Sequence, residues 1–351
     1  MILVLGLAAA LWGLGALLGA PARQRAGVLG ALWVVVVLEH LLLPDGHPLR
    51  AATGGDARPW VILGGLGALV VGYRGLLRRA RARHAAMEPA APAAPAAAFR
   101  PVELDRYARH IALREIGGAG QRRLKAARVL VVGAGGLGSP ALLYLAGAGV
   151  GTIGVIDDDV VENANLQRQI IHADERIGMA KAHSAAAAMR ALNPFVEVRP
   201  YARRLEAPIA ADLFADYDLV LDGSDDWDTR ELVNATCVAA RLPLVSGAIT
   251  QWEGQVALFD PAHGGPCRAC LFPARPAPGL APTCAEAGVA APLPGVIGSI
   301  MATEAVKHLT GAGTTLRGRL LVYDALEADM RVIRTHKRGD CPVCGTPRPV
   351  A

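Results

Sequence analysis

A run of β-branched residues that leads directly into a glycine-rich turn is the feature that most constrains this chain. Residues 128–134 read RVLVVGA, a pattern typical of a strand buried on both faces of a parallel sheet. A GxGxxG motif follows at 133–138, ahead of an apolar helix candidate at 140–148 and a strand candidate at 152–156. This βαβ pattern predicts an α/β, Rossmann-like domain.

The glycines and a later acid predict a nucleotide site. Gly133, Gly135 and Gly138 form the motif, and Asp157 follows the second strand candidate, 19 residues after the last glycine. Glycines let the backbone approach phosphates at a helix N-terminus, and an acid at this spacing hydrogen-bonds a ribose hydroxyl. These residues alone do not say which nucleotide binds.

Basic residues beyond the acid favour a triphosphate over NAD. The segment NLQRQ at 165–169 contains Arg168, and Lys181 begins an alanine-rich helix candidate. The rest of the domain offers strand candidates at 243–247, 254–259 and 319–324, with a helix candidate at 295–310. We expect a single α/β domain with a mixed sheet, whose nucleotide-binding half spans roughly 99–225.

Four of the six cysteines form two CxxC pairs, and these predict a metal site. The pairs are Cys267/Cys270 and Cys341/Cys344. Four thiolates are the ligand set of a closed, tetrahedral structural zinc site, and six cysteines are too few for a disulfide scaffold in a chain of this length. Zinc would attach the C-terminal tail to the domain. Cys237 is interpreted as a small buried apolar residue.

Three apolar runs near the N-terminus predict transmembrane helices. The chain is 52% hydrophobic, with a mean hydropathy of +0.32. The runs cover 2–20, 27–43 and 60–77, each close to the ~20 residues that a helix needs to cross a bilayer. A cleaved signal peptide explains the first run less well, because no basic residue precedes it and two further runs follow. We expect a membrane region over 1–84.

The net charge of +5 belongs to the N-terminal segment. Residues 1–98 hold 9 Arg and 4 acids, whereas 99–351 hold 27 basic and 27 acidic residues. A neutral domain without a basic stripe argues against nucleic-acid binding. The arginines after the third run place the domain in the cytoplasm by the positive-inside rule. We expect a multi-pass inner-membrane protein with an Ala/Pro-rich linker over 85–98, and with Glu39 and Arg74 near the membrane surfaces.

Six motifs and the CxxC pairs together carry a resemblance to a known family. The motifs are RYARHI at 106–111, VLVVGAGGLGSP at 129–140, NLQRQ at 165–169, DLVLDGSDD at 218–226, EGQV at 253–256 and TCAEAGVAAPLPGVIGS at 283–299. In this order and spacing the chain resembles the MoeB/ThiF/HesA family of the ubiquitin-activating-enzyme superfamily. The resemblance covers about 100–345, nearly the whole predicted domain.

The resemblance implies an adenylyltransferase that uses Mg-ATP to adenylate the C-terminal glycine of a ubiquitin-like sulfur carrier. The carrier would be MoaD-like or ThiS-like, in molybdopterin or thiamine biosynthesis, with sulfur coming from a separate donor. The resemblance implies that Arg109 enters the active site from the neighbouring subunit of a homodimer. The other implied contacts are Gly136, Asn165, Arg168 and Lys181 for the phosphates, Asp157 for the ribose and Asp225 for magnesium.

Three positions qualify the family pattern. Ala164 stands where many relatives have serine, and Asp226 stands where they commonly have asparagine. Asp226 would add a negative charge beside an anionic nucleotide, which either weakens ATP binding or tightens metal binding. Cys284 matches a cysteine that forms a persulfide or thioester with the carrier in some members. Its surroundings look closer to MoeB-like members, in which it is dispensable, and this favours a MoaD-like carrier.

Three other functions stay open at the level of sequence. A tRNA-modifying dehydratase of the same superfamily is disfavoured by the paired CxxC motifs and the neutral domain. An NAD-dependent oxidoreductase is disfavoured because hydride transfer to or from NAD does not explain the presence of Arg168, Lys181 and the NLQRQ motif. A non-catalytic membrane scaffold would keep the fold and the zinc but show no turnover.

Overall fold

The computed structural model describes residues 2–18, 22–44, 46–87, 99–275, 277 and 287–345. The chain divides into two compact units, Met1–Ala93 and Ala94–Ala351. The first unit is helical, with α1 at Ile2–Leu17, α2 at Ala22–Leu42, α3 at Pro48–Thr53 and α4 at Arg58–Met87.

A small apolar core and a polar cluster hold the first unit together. Val4, Val36 and Trp60 form the buried core. The Thr53 hydroxyl lies 3.0 Å from Glu39 Oε1 and 3.0 Å from His40 Nε2. Glu39 therefore has a polar partner within its own unit.

One helix in the described part of the chain is long and apolar enough to cross a membrane. It covers Gln24–Leu42, and a shorter apolar helix covers Leu3–Leu17. The third predicted span, 60–77, falls within α4, and the Arg74 side chain is outside the described atoms. Because core helices and signal sequences share this length and composition, three spans stay a prediction.

The second unit alternates helices and strands. Its helices are α5 Pro101–Arg106, α6 Ala108–Ala112, α7 Gly117–Ala126, α8 Gly138–Ala148, α9 Lys181–Leu192, α10 Ala207–Phe214, α11 Trp227–Ala240, α12 Arg268–Leu271 and α13 Leu293–Thr310. Its strands are β1 Arg128–Val132, β2 Thr152–Ile156, β3 Glu197–Tyr201, β4 Leu219–Asp222, β5 Leu244–Ile249, β6 Glu253–Phe259, β7 Arg319–Asp324 and β8 Asp329–Arg334. Short 3₁₀ helices cover Asn163–Asn165, Asp174–Arg176 and Pro261–His263.

The eight strands form one mixed sheet in the order β3-β2-β1-β4-β5-β6-β7-β8. The first five strands of this order are parallel, and the pairs from β5 to β8 are antiparallel. The order reverses direction at β1, because β2 lies on one side of it and β4 on the other. Ligands of open α/β sheets bind at such a switch point, beyond the carboxyl ends of the strands.

Strand β1 shows why this sequence folds into layers. Val129 and Val131 belong to a core cluster on one face of the sheet, and Leu130 and Val132 to a cluster on the other face. Side chains alternate along a strand, and here both faces are buried under helices. The expected α/β, Rossmann-like fold with a mixed sheet is confirmed, and each of the strands and helices predicted from the sequence is present.

Candidate functional site

A cleft of about 920 Å³ opens beyond the carboxyl ends of the strands at the switch point. Eight residues proposed from the sequence line it: Gly133, Gly135, Gly136, Asp157, Arg168, Lys181, Asp225 and Asp226. They come from the loops after β1, β2 and β4 and from the start of α9. The topology thus brings together residues that lie nearly one hundred positions apart in the chain.

Two glycines are required by the geometry of the loop after β1. Gly133 has a φ of +92°, and a Cβ there would lie 3.1 Å from the Gly223 carbonyl oxygen. A Cβ on Gly138 would lie 1.9 Å from the Gly133 carbonyl oxygen. Neither position accepts a side chain without moving backbone. Gly138 acts in the turn and does not line the cleft.

Asp157, which directly follows β2, is hydrogen-bonded to the glycine loop after β1. Its Oδ2 accepts a hydrogen bond from the Ala134 backbone N–H at 2.7 Å, and its Oδ1 accepts one from the Asp159 N–H at 2.9 Å. Burial raises the pKa of this carboxyl, and the two hydrogen bonds oppose that shift. Each carboxylate oxygen has a second lone pair, which leaves it able to accept from a ribose hydroxyl.

The two predicted phosphate-binding cations lie beside the glycine loop. Lys181 is deeply buried, with 7% of its side chain exposed, and its Nζ lies 2.7 Å from Asp159 Oδ2. Arg168 donates to the Ala164 carbonyl at 3.1 Å, and its Cγ lies 3.9 Å from where a Cβ on Gly136 would be. Both cations are held close to the backbone that would face the phosphates.

Gln169 is a further polar residue of the cleft that the sequence interpretation left without a role. Its side-chain Oε1 is buried and has no hydrogen-bond partner among the described residues. A buried acceptor without a partner is costly, so a donor group on a ligand would complete it. A hydroxyl or amino group of a nucleotide could donate to this oxygen, whereas the glycine loop and the two cations suit the phosphates.

Asp226 was expected to place an uncompensated negative charge beside the nucleotide, but in the structure its charge is compensated. It is the N-cap of α11, where its Oδ2 accepts from the Thr229 N–H at 2.8 Å and from the Thr229 hydroxyl at 2.6 Å. The Thr229 hydroxyl is the main reason that its pKa is lowered, and Arg204 lies 3.7 Å away. The helix N-terminus and the arginine therefore compensate the added negative charge.

The acidic side chains that converge in the cleft differ from the expected magnesium ligand. The carboxylates of Asp157, Asp158 and Asp159 lie within 4.8 Å of one another. Asp225 lines the cleft at the end of β4 but does not belong to that group. Its role as a magnesium ligand stays a prediction.

Several arginines that line the cleft were missed at the level of sequence. They are Arg203, Arg204, Arg230, Arg268 and Arg275. None of them is a defining residue of a motif, and such an arginine is most often a surface residue. Only the fold places these side chains around one cavity.

His172 connects three segments, the glycine loop, the loop after β2 and the start of α9, that carry the residues predicted to bind phosphate. It is buried, and its Nε2 donates to the Ala134 carbonyl of the glycine loop at 3.0 Å. Its Nδ1 accepts from the Ser184 hydroxyl at 2.9 Å, one turn after Lys181 on α9. Burial lowers the pKa of this imidazole to about 4, so it is neutral near pH 7.

We expect His172 to make stability fall as the pH falls. The unfolded chain binds a proton on this residue near pH 6.5, whereas the folded chain binds it only near pH 4. Stability is thus lost as the pH falls from about 6.5 to 4, by up to about 3 kcal/mol. Pulse proteolysis in urea at several pH values should show a flatter dependence for His172→Gln. The exposed His336→Gln should keep the wild-type dependence, and parallel curves for all three proteins would contradict this assignment.

The four cysteines of the CxxC pairs meet in space. Sγ of Cys267 lies 4.0 Å from that of Cys270 and 3.6 Å from that of Cys341, and Cys270 Sγ lies 3.4 Å from Cys344 Sγ. All four sulfurs lie within 4.8 Å of one another. Tetrahedral zinc with Zn–S bonds of about 2.3 Å needs S–S separations of about 3.8 Å. The cluster therefore has the size that a tetrahedral metal ion requires.

The remaining predicted residues lie away from the cleft or outside the described residues. Asn165 does not line the cleft, and its Oδ1 accepts from the Glu162 N–H at 3.3 Å. Arg109 is exposed on α6. Cys284 falls outside the described residues. Cys237 lies on α11 and is buried in the apolar core that this helix shares with α10, as expected.

Comparison with known proteins places the chain in a family. The model described as "ThiF family" matches residues 107–343. The chain belongs to the ThiF family. A SAMP-activating enzyme E1 from Haloferax volcanii is 50% identical over 69% of this chain and 89% of its own length. A sulfur carrier protein adenylyltransferase from Thermus thermophilus is 52% identical over 69% of this chain and 91% of its own length.

A longer relative and a solved structure complete the comparison. A probable adenylyltransferase/sulfurtransferase MoeZ from Mycobacterium tuberculosis is 50% identical, and the match spans 71% of this chain and 64% of the relative. A crystal structure of E. coli MccB with MccA-N7isoASN has a TM-score of 0.61 at 21% identity, over 69% of this chain and 75% of that chain. At this identity the structural likeness shows the fold alone. The ThiF-family fold thus covers the second unit of the chain.

Proposed function

We propose that this ThiF-family chain adenylates the C-terminal glycine of a ubiquitin-like sulfur carrier with ATP. The observation that carries the proposal is the cleft itself, where the glycine loop, Arg168 and Lys181 line one cavity. The relative named sulfur carrier protein adenylyltransferase is 52% identical and matches over 91% of its length. A MoaD-like carrier is preferred and a ThiS-like carrier is the alternative.

The reaction is an in-line transfer of an adenylyl group. An oxygen of the carrier carboxylate forms a bond to the α-phosphorus, while the bond from that phosphorus to the bridging oxygen breaks. The electron pair of the broken bond leaves with pyrophosphate, and the product is an acyl adenylate. No proton moves, so the residues of the cleft act by positioning and by stabilising charge.

Each of the predicted site residues that line the cleft has a role in that step. The glycine loop lets backbone N–H groups approach the phosphates at the start of α8, and Asp157 accepts from the ribose. Arg168 and Lys181 offset the repulsion between the anionic carboxylate and the phosphates. Asp225 would hold magnesium, which supplies further positive charge on the phosphates when bound.

Zinc, the membrane and a second subunit complete the proposal. The four clustered cysteines would hold a structural zinc ion, because they supply a full tetrahedral set of thiolates. The apolar helix Gln24–Leu42 and its neighbours would anchor the chain in the cytoplasmic membrane, with the adenylating domain in the cytoplasm. Arg109 is exposed on α6, where it could reach the active site of a second copy in a homodimer.

ATP–pyrophosphate exchange by the purified full-length chain tests the function. We expect exchange that depends on one carrier, with MoaD-type and ThiS-type proteins assayed separately. We expect Asp225→Ala to lower the rate at least about 10²-fold, because it removes a charge that would position the metal. Exchange without any carrier would contradict the proposal, as would no exchange with either carrier from a folded chain.

A further inference from the structure

An arginine that the sequence interpretation left without a role lies buried where α11 and α12 line the cleft. Arg268 is the first residue of α12 and follows Cys267 directly. Only 6% of the residue is exposed, yet it lines the same cleft as Gly135 and Asp225. Charged residues are seldom buried to this degree unless they are paired. The buried guanidinium of Arg268 therefore requires a group of opposite charge.

Aromatic rings and the protein backbone fix the position of Arg268. Its guanidinium carbon lies 4.2 Å from the centre of the Trp227 ring and 5.5 Å from that of Phe272. Its backbone N–H donates to the buried Asn234 side chain at 2.8 Å. Stacking uses the faces of a guanidinium and leaves its N–H edge available. Among the described residues, no side chain makes a hydrogen bond or ion pair with that edge.

The charges around Arg268 leave positive charge uncompensated. Arg230 is also buried, with its guanidinium 3.9 Å from the fully buried Asp222 carboxylate and donating to the Ser224 carbonyl. Asp222 also accepts from the hydroxyls of Ser224 and Ser246. Two buried guanidinium groups thus lie near one buried carboxylate, and the other acid that acts on Arg268, Glu231, is exposed to solvent. Because an unpaired buried charge is costly, an anionic ligand is the natural complement.

The proposed reaction has two anionic reactants, and the topology separates their sites. Arg168 and Lys181 lie in the segments after β2, next to the glycine loop. Arg268 packs against α11, which follows β4, so it belongs to the opposite side of β1 from the segments after β2. Trp227, which stacks on it, comes two residues after Asp225. Arg268 is therefore placed for the reactant that enters opposite the nucleotide.

We propose that Arg268 binds the C-terminal carboxylate of the protein substrate and positions it for attack on the α-phosphorus. The inference rests on the adenylation function proposed above. The planar guanidinium fork matches both oxygens of a carboxylate, and this pairing distinguishes a free C-terminus from an amide. Arg268 would then determine specificity for a carrier with a free terminal glycine.

Binding of carriers that end in a carboxylate or in a carboxamide tests this role. Isothermal titration of the full-length chain with a non-hydrolysable ATP analogue present should show tighter binding of the carboxylate form. We expect Arg268→Gln to reduce that preference about 10- to 100-fold, the value of a charge-assisted bidentate pair. Arg268→Lys should keep part of it, because it keeps the charge without the fork. The affinity for the ATP analogue should change less than about 2-fold, because the triphosphate has its own cations.

Controls separate this role from folding and from the proposed function. Arg331→Gln removes an exposed arginine of β8 and should match the wild type. Thermal unfolding and bound zinc should be measured for every variant. If Arg268→Gln keeps the full preference in a chain that is active in exchange, the role of Arg268 is wrong and adenylation stands. A loss of affinity for the ATP analogue alone also overturns it. A wild-type chain that binds neither carrier and shows no exchange refutes both proposals.

Discussion

Lys181→Met is expected to lower the rate of carrier-dependent ATP–pyrophosphate exchange about 10²- to 10³-fold, the usual cost of removing one preorganised charge from an active site. The Lys181 ammonium is buried at the edge of the cleft and lies 2.7 Å from Asp159. It adds positive charge beside the glycine loop, where the carboxylate and the phosphates would repel each other. Measuring the exchange rate at saturating ATP separates this loss from weaker nucleotide binding.

Two matched variants sharpen the result for Lys181. Lys307 also pairs with a carboxylate, that of Glu304 on α13, but it does not line the cleft. Lys307→Met should therefore keep the wild-type rate. Asp159→Asn keeps the lysine and removes its partner, so a much smaller loss is expected than for Lys181→Met. Wild-type exchange by Lys181→Met would show that the ammonium does not act on the transferred group.

The proposed homodimer can be tested with the same variant. Arg109→Ala and Lys181→Met should each be poorly active alone. If Arg109 enters the neighbouring active site, a mixed dimer contains one site with both defects and one intact site. Random mixing of equal amounts should then restore about one quarter of the wild-type rate, because half of the dimers have one working site of two. No recovery after exchange of subunits would place both residues in the same subunit.

The fold around the nucleotide could be predicted because its signals are local. The β-branched run, the glycines and the apolar helix that make up β1, the loop after it and α8 follow one another in the chain, with β2 next. Each of these elements can therefore be predicted from its own short segment. The sequence interpretation did not identify β3, β4 or β8 as strands. Strand β4 is only four residues long, and β8 is exposed along nearly its whole length, so neither shows an extended apolar pattern.

The site was predicted where residues belong to contiguous motifs and was missed where the fold alone brings them together. Arg168 belongs to the motif NLQRQ, and Lys181 begins a helix candidate that is visible in the sequence. Arg268 lies in an unremarkable position between two cysteines, and its link to Trp227 depends on the packing of α11 against α12. His172 likewise has no ligand spacing, because its partners are a carbonyl and a hydroxyl from other segments.

Asp226 shows how a residue type alone can mislead. A carboxylate beside an anionic nucleotide is unfavourable when considered by itself. In the structure its Oδ2 accepts from the backbone N–H and the hydroxyl of Thr229 at the start of α11, and Arg204 lies nearby. The same negative charge is favourable at a helix N-terminus. Its effect on the nucleotide therefore depends on the capping interaction, which the sequence interpretation did not consider, although an Asp directly before a helix is an N-cap signal.

Cys341→Ser is expected to abolish zinc binding and to lower the midpoint of thermal unfolding. Cys341 brings the C-terminal tail to Cys267 at 3.6 Å, and the Arg338 N–H donates to the Cys270 sulfur at 3.4 Å. Zinc would thereby close a loop of 70 residues between the two pairs. We expect the midpoint to fall by roughly 10 °C. In a domain of this size 1 kcal/mol corresponds to about 2–4 °C, so this shift represents a loss of about 2.5–5 kcal/mol in the free energy of unfolding. Elemental analysis and calorimetry on the full-length chain measure both effects.

Cys237→Ala is the matched control, because this thiol is buried in the apolar core outside the cluster. It should keep one bound zinc ion per chain, the stoichiometry of a four-thiolate site. Because Arg268 lies between Cys267 and Cys270, zinc loss should also release the arginine from Trp227 and weaken the preference for a carrier carboxylate. Zinc retained by Cys341→Ser, or a wild-type chain purified without zinc and equally stable, would contradict a structural metal site. Zinc loss that leaves the carboxylate preference intact would instead show that the aromatic rings hold Arg268 without the metal.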